Sequence, residues 1–284
     1  MKKYIAILTV FNLLFIAFSC DTFEGDADVP AYVQIDSVAF VSDLNTEGSS
    51  KQQITDVWFS ANGSEIGAFE MPTRFPVISK GKQPVLMYAG ILKNGIHIYR
   101  ERYPFFDVVK DTFDFKGAEV RYTNPTFHYK KDLKFWIENF EDPGLKFHTS
   151  DSVNYLNQII DPDNENNSIG EVYVPQNVSA FQFYTTDNFI LSGDPIYMEI
   201  EYKSENSFSI GVLVEHIDGT YESVRPFSII KESEGWNKLY INLSEQFYLS
   251  PSGKSYDVYF FFANSTGEYT KTFLDNIKII TYQK

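Results

Sequence analysis

The chain has 284 residues, and its 38 Asp and Glu residues outnumber its 24 Lys and Arg residues, which gives a formal net charge of −14. The apolar fraction of 43% and the charged fraction of 22% are typical of a folded globular protein. The acidic balance argues against a nucleic-acid partner, because binding a phosphate backbone requires a cationic surface. Aromatic residues make up 17% of the chain, which favours an all-β fold with half-buried pleated surfaces.

The first nineteen residues have the pattern of an export signal. Lys2 and Lys3 precede an apolar run over residues 5–18, which ends at small residues. A transmembrane helix is the alternative, but it needs about 20 apolar residues. The pattern therefore predicts a cleaved signal peptide over residues 1–19.

Cys20, the only cysteine of the chain, directly follows the predicted signal. The segment Ala17-Phe18-Ser19-Cys20 resembles a bacterial lipobox, which implies an acylated Cys20 as the mature first residue and a lipid anchor in the outer membrane. The alternative is an ordinary signal peptide followed by an incidental cysteine. Residues 20–30 form an acidic tether, and residues 21–28 resemble the export signal that places Bacteroidota lipoproteins on the cell surface. A solvated linker is the alternative interpretation of these acids.

Residues 31–125 are predicted to form a first β-sandwich. Alternating apolar residues begin at Tyr32, and Asn62-Gly63 and Asn94-Gly95 are typical hairpin turns because both residue types tolerate positive φ. The strands predicted around these turns cover residues 54–61, 65–71, 83–91 and 96–102. Their spacing and the size of the region resemble an immunoglobulin-like domain, although no Cys–Trp–Cys framework is present.

Residues 126–284 are predicted to form a second β-sandwich, with the boundary at Asn124-Pro125. Its predicted strands cover residues 133–140, 196–202, 210–216, 221–226, 236–243, 256–263 and 272–282, and residues 161–168 are predicted to be a loop. Three segments resemble the jelly roll of carbohydrate-binding modules and galactose-binding-like domains: residues 140–144, 235–243 and 273–279. The whole arrangement resembles Bacteroidota surface lipoproteins of uncharacterised function.

No catalytic motif is apparent in the sequence. It has no Gly-x-Ser-x-Gly elbow, no His-Glu-x-x-His pair and no phosphate-binding glycine-rich loop. The four histidines are not spaced as zinc ligands. A carboxylate pair for glycoside hydrolysis stays open among 38 acids, but no pair stands out. We expect a protein that is not an enzyme and that requires no cofactor.

Calcium is the metal that the sequence favours, because acidic loops supply its oxygen ligands. The jelly-roll resemblance implies a structural calcium near the first and last strands, and the matching positions are Glu141, Asp142 and Asp275. Asp161, Asp163 and Glu165 form a second acidic group, which is either the opening of a calcium loop or a solvated turn.

The aromatic residues raise the question of sugar binding. Trp58, Trp136 and Trp236 are candidates for stacking on pyranose rings, although core packing is the favoured interpretation for each. Residues 256–262 are predicted to form a strand buried on both faces. The sequence therefore identifies no ligand-binding face.

Two functions are compatible with these features. The first is an interaction or accessory subunit of an outer-membrane protein complex, predicted from the anchor and the two modules. The second is a glycan-binding lipoprotein that captures polysaccharide or mediates adhesion, predicted from the jelly-roll resemblance. Because β-sandwiches support many functions, the sequence ranks the interaction role first.

Overall fold

A computed structural model describes residues 29–190, 193, 195–264 and 267–283, except for the side chains of residues 225–228. The predicted signal peptide, Cys20 and all of the tether before residue 29 lie outside the described residues. Among the described residues, no helix is long and apolar enough to cross a bilayer.

The protein is all-β, as the sequence predicts. The strands are, in chain order, β1 (Ala31–Ile35), β2 (Ala39–Val41), β3 (Asp56–Ala61), β4 (Ser64–Glu70), β5 (Thr73–Val77), β6 (Gly81–Leu92), β7 (Arg100–Arg102), β8 (Val109–Phe115), β9 (Val120–Tyr122), β10 (Thr126–His128), β11 (Leu133–Glu138), β12 (Phe147–His148), β13 (Leu156–Asp161), β14 (Asn164–Val174), β15 (Ala180–Thr185), β16 (Tyr197–Ser204), β17 (Phe208–Glu215), β18 (Tyr221–Ile230), β19 (Ser233–Asn242), β20 (Ser255–Ala263) and β21 (Thr270–Tyr282). A short helix, α1 (Ser244–Leu249), precedes β20. Six residues are too few to show a helical period in the sequence.

The first module is a β-sandwich around an apolar core. One sheet has the order β4-β3-β6-β7, with β8 also paired to β6, and the other has the order β5-β1-β9. β1 shows why these residues form a strand: Val33 and Ile35 are buried while Tyr32 and Gln34 are only partly covered, which is the period of two. The strand β10, which follows the predicted boundary, pairs in parallel with β2 of this module.

The second module is a jelly roll of two antiparallel sheets. The six-stranded sheet has the order β13-β14-β21-β16-β19, with β11 also paired to β21, and the five-stranded sheet has the order β12-β15-β20-β17-β18. Inward-facing residues of both sheets form the core, which includes Val174, Phe183, Ile200, Val212, Phe260 and Leu274.

The two turns predicted from Asn-Gly pairs are present, because these residue types favour the backbone conformation of a tight turn. Asn62-Gly63 and Asn94-Gly95 both adopt positive φ, with values of 50° and 76° in the first turn and 56° and 70° in the second. The loop predicted over residues 161–168 is wrong, because β14 already begins at Asn164. The Asp161 carboxylate accepts a hydrogen bond from the Asp163 N–H and closes a tight turn there. The strand predicted over residues 96–102 forms only as β7.

The first module packs against the outer face of the six-stranded sheet. Tyr197, Tyr240 and Ile280 of that sheet belong to the apolar core of the first module. Polar contacts join the same surfaces: the Lys278 Nζ donates to the Ser49 carbonyl at 2.7 Å. Among the described residues, the five-stranded sheet contributes nothing to this core. Its outer face therefore points away from the first module.

A buried charge cluster lies at the junction of the two modules. The Tyr103 and Tyr129 hydroxyls each donate to Glu199 Oε1 at 2.9 Å, and the Lys238 Nζ lies 2.8 Å from Glu199 Oε2. Burial alone would raise the pKa of Glu199, but the charges of Lys238 and Lys278 lower it below its ordinary value. Glu199 is therefore an ionised carboxylate between two cations.

Candidate functional site on the five-stranded sheet

The strand β20 exposes part of one face. Its even-numbered residues, such as Tyr256 and Phe260, point into the core, while Asp257, Tyr259 and Phe261 point outward. Asp257 and Phe261 are partly exposed, so the prediction of a strand buried on both faces is wrong. The outer face of the five-stranded sheet is therefore a surface on which a ligand can lie.

Tyr259 lies at the centre of this face and is held across two neighbouring strands. Its ring packs on Gly211 of β17, where an added Cβ would come within 2.4 Å of Tyr259 Cζ. The Tyr259 hydroxyl donates to the Val224 carbonyl at 3.2 Å and accepts a hydrogen bond from the Ser223 Oγ at 3.2 Å. Glycine at position 211 is thus required by the close approach of this ring.

Two further rings continue the face from Tyr259 towards β12. Tyr184 of β15 lies 6.0 Å from Tyr259, measured between ring centroids. His148 stacks on Tyr184, with centroids 5.6 Å apart and an interplanar angle of 27°. Burial raises the pKa of Tyr184 even though Ser150 hydrogen-bonds its side chain. The partly exposed Tyr184 ring is therefore held in place by neighbours on two sides.

Asp257 brings an acceptor to this aromatic face. Its Oδ1 atom is buried and has no hydrogen-bond partner within the part of the chain that the structure describes. Burial raises the pKa of Asp257, and the charge of Glu215 adds to this effect while His148 opposes it. An unsatisfied buried acceptor costs about 1–3 kcal/mol, so a small rotation of the Asp257 side chain that brings Oδ1 to a donating ligand would recover that energy.

The predicted calcium ligands are only partly brought together. Glu141 Oε1 accepts from the Ser168 N–H at 2.8 Å, and Asp275 Oδ2 accepts from the Asn167 Nδ2 at 3.1 Å. Both carboxylates thus lie at the start of β14. Asp142 is exposed and makes no hydrogen bond or ion pair to the described residues. Across the described ranges, no group of three or more His, Cys, Asp or Glu side chains is arranged to hold a metal.

Asp275 nevertheless has an unusual environment for a carboxylate. Burial raises its pKa to about 7, and the charges of Glu201 and Glu141 add to the shift. Hydrogen bonds from Asn167 and from the Asn276 N–H oppose it only in part. A cation would relieve the repulsion among these acids, so calcium stays a prediction at Asp275 and Glu141.

The three tryptophans are all at least partly covered. The Trp136 Nε1 donates to Asp187 Oδ2 at 2.7 Å, and its ring packs against the jelly-roll core. Trp236 lies under the ammonium group of Lys51, 5.4 Å from its ring centroid. Trp58 lies under the Arg102 guanidinium at 4.8 Å. None of them lies on the outer face of the five-stranded sheet.

Tyr184, Tyr259 and Asp257 are site residues that the sequence patterns did not predict. The signal was present in the alternation of residues 256–262, where a single acid stands among aromatic residues. An acid inside a strand that is buried on both faces would be costly unless paired. Asp257 therefore indicated that one face of β20 is accessible.

No protein-family model matches this chain, and no curated protein sequence matches it. Among solved structures, the CBM22-1 xylan-binding domain of Xyn10C from Paenibacillus barcinonensis is 11% identical, covers 52% of this chain and 94% of its own, and has a TM-score of 0.39. A family 29 carbohydrate-binding module, CBM29-2, is 11% identical over 53% of this chain and 94% of its own, with a TM-score of 0.35. The same module complexed with mannohexaose is 10% identical, with the same coverage and TM-score. Similarities at this level carry no conclusion about the ligand of this chain.

Proposed function

We propose that this protein is a non-catalytic, lipid-anchored glycan-binding protein of the outer-membrane surface. The observation that carries the proposal is the unsatisfied Oδ1 atom of Asp257 on the same face as the Tyr184 ring. Sugars present both kinds of complementary surface: C–H groups that pack on an aromatic face and hydroxyls that donate to a carboxylate. A few polar groups set among aromatic side chains are the usual composition of a small-molecule site.

The cellular location of the protein is part of the same proposal. The lipobox resemblance at Cys20 and the acidic residues 21–28 support an anchor in the outer membrane with the folded modules displayed on the cell surface. An acyl chain combined with a second membrane signal anchors a protein stably. Two rigidly packed modules beyond a tether would carry the binding face away from the bilayer, since the first module covers only the six-stranded sheet.

The test is glycan binding by the full chain purified in detergent. We expect retention on at least one of xylan, mannan or cellulose, which are neutral polysaccharides that present both hydroxyl groups and C–H faces. Tyr184→Ala and Asp257→Asn should each weaken retention about tenfold, which corresponds to the loss of about one good contact. Tyr122→Ala, an exposed tyrosine of the first module, is the matched control. Equal retention of all four proteins would refute a site on this face.

A second candidate role is that of an accessory subunit in an outer-membrane protein complex. The first module supports it, because Arg102 stacks on Trp58 and Tyr88 with its Cζ atom 4.8 Å and 4.4 Å from the ring centroids. Trp, Tyr and Arg are the residues most often found at interface hot spots. The immunoglobulin-like assignment of this module belongs to the same prediction.

Co-purification from native membranes tests the accessory role. We expect wild-type protein to carry a stoichiometric membrane-protein partner, and Trp58→Ala to lose it. Recovery of the wild-type protein as a free monomer under mild detergent would refute this role while leaving glycan binding intact.

A further inference from the structure

We infer that the second module has a second glycan-binding site, on the face opposite to the first. It is a groove of about 430 Å³ at the end of the six-stranded sheet, where β16, β19 and β21 meet. We call it the Phe273 groove; its lining includes Lys203, Glu205, Glu232, Glu234, Lys271 and Phe273. The inference shares its ligand class with the proposed function and rests on it in that respect.

A break in strand register forms the groove. Tyr202 pairs with Asn237, but Ser204 pairs with Ser233, so three residues of β19 stand opposite Lys203 alone. Such β-bulges bend one strand and redirect its side chains, and they are over-represented next to binding sites. Glu234 is one of the three residues in the bulge, and it lines the groove.

Phe273 provides the apolar part of the groove. It pairs with Lys203 on one neighbouring strand and with Glu171 on the other, so the three side chains share the outer face. The Nζ atoms of Lys203 and Lys271 lie 6.0 Å and 5.7 Å from the ring centroid. Both ammonium groups lie over the ring, so the hydroxyl groups of a ligand in the groove can accept hydrogen bonds from them.

An aromatic pair extends the groove along the sheet. Tyr173 pairs with Lys271 and lies on the same outer face. It stacks on Tyr269 with ring centroids 5.7 Å apart and an interplanar angle of 24°. The two rings are 39% and 49% exposed, which is high for large aromatic side chains. Exposed, stacked tyrosines next to a groove provide a platform for successive sugar units.

The charges of the groove argue against an anionic ligand. The Lys203 Nζ is 3.3 Å from Asp163 Oδ2, and the Lys271 Nζ is 3.3 Å from Glu171 Oε1, so both cations are already paired. A polyanion would be repelled by the surrounding glutamates, which outnumber the lysines. Hydroxyl groups can both donate to the carboxylates and accept from the ammonium groups.

Glu205 and Glu234 supply free acceptors at this site. Neither carboxylate makes a hydrogen bond or an ion pair to another described residue, whereas Glu232 accepts from the Ser207 Oγ at 3.1 Å. Together with the paired lysines, they place acceptors and donors around one aromatic ring. This composition suits the hydroxyl groups of an uncharged saccharide.

Two sites on opposite faces would make the protein bivalent. A single chain could then hold two polysaccharide segments at once, and linkage through one rigid module would raise the apparent affinity for a long polymer well above that for a short oligosaccharide. The protein would therefore bridge polysaccharide chains.

Affinity gel electrophoresis of the full chain in detergent tests this inference, with xylan, glucomannan or mixed-linkage β-glucan cast in the native gel. The sheet-face variant combines Tyr184→Ala with Asp257→Asn, and the groove variant combines Tyr173→Ala with Glu234→Gln. Tyr122→Ala is again the control. All groove substitutions are at exposed or partly exposed positions, and circular dichroism would verify that each variant folds.

We expect each double variant to keep part of the retardation and the four-fold variant to lose it, with a roughly tenfold weaker apparent affinity for each double variant. Two results would overturn the second site and leave the proposed function standing. One is a groove variant that the polymers retard as strongly as the wild-type protein, and the other is complete loss of retardation in the sheet-face variant. Complete loss in the groove variant alone would place binding in the Phe273 groove and refute the sheet-face site. No retardation of the wild-type protein by any of the three polymers would refute both.

Discussion

The Lys238 Nζ and the Glu199 Oε2 lie 2.8 Å apart, and both side chains are only 1% exposed. The pair lies on the outer face of the six-stranded sheet, beneath the aromatic residues of the first module. An unpaired charge in this position would be very costly, because burial removes it from water. The ion pair therefore makes the packing of the two modules depend on both partners.

Removing one member of this pair should destabilise the protein strongly. We expect Lys238→Met to lower the free energy of unfolding by about 3–5 kcal/mol, since it leaves the Glu199 carboxylate with one cation fewer in a buried position. Urea denaturation followed by tryptophan fluorescence measures the change.

The matched control is Lys254→Met. The Lys254–Glu215 pair has the same 2.8 Å distance, but the lysine side chain is 58% exposed. Solvent screens an exposed pair, so we expect this substitution to change the free energy of unfolding far less than Lys238→Met does. Equal losses for the two variants would show that burial at the module junction does not set the strength of the pair.

We expect Asp275 to make the stability of the protein depend on pH. Its pKa is raised to about 7, chiefly by burial, so the folded protein binds a proton more tightly there than the unfolded chain does. The contribution of Asp275 to stability is therefore greatest below the unfolded pKa of about 4 and is lost as the pH rises through 7. In Asp275→Asn this dependence is removed.

The measurement is the difference in unfolding free energy between Asp275→Asn and the wild-type protein, from pH 4 to pH 8. We expect the difference to shift in favour of the variant as the pH rises across this window. Any hydrogen bond lost with the substitution is a constant offset, so the slope reports the titration of Asp275 and its coupling to Glu201 and Glu141. A flat difference would contradict the raised pKa.

Calcium should act at the same carboxylate. Glu141 and Asp275 both lie at the start of β14, and the Glu141 charge contributes to the raised pKa of Asp275. A ligand that binds only the folded state stabilises it, so millimolar calcium should raise the melting temperature at pH 8. The Asp275→Asn variant should show no such rise, and Asp142→Asn should respond as the wild-type protein does. An unchanged wild-type melting curve would count against calcium binding.

The sequence predicted those features that neighbouring residues decide. The Asn-Gly turns follow from positive φ, and the all-β class follows from aromatic and β-branched alternation.

The pairing of β11 with β21 joins residues about 150 positions apart, and no local pattern encodes it. The choice of which face of β20 is exposed depends on how two sheets pack, so the candidate site at Asp257 emerged only from the structure. The junction cluster has the same origin, because Glu199, Lys238 and Lys278 meet only after three strands align.

Gly211 tests whether the position of Tyr259 matters to the candidate site. A Cβ at position 211 would lie 2.4 Å from Tyr259 Cζ and 2.5 Å from its hydroxyl oxygen, so the Tyr259 side chain must move. Moving it breaks the hydrogen bonds to Ser223 and Val224 and disturbs the surface next to Tyr184. We expect Gly211→Ala to lower the free energy of unfolding by about 1–3 kcal/mol, as overpacking does, and to weaken glycan retention.

The control uses the coupling between the two positions. In a Tyr259→Ala background the obstructing ring is absent, so adding Gly211→Ala should cost much less than it does in the wild-type protein. Glycine 235, where an added Cβ meets nothing within 4 Å, provides a comparison without a clash. Chemical denaturation and affinity gels measure the two effects separately. If the two substitutions were additive in stability, the ring of Tyr259 would not be what requires glycine at position 211, and a loss of retention in Gly211→Ala would need another cause.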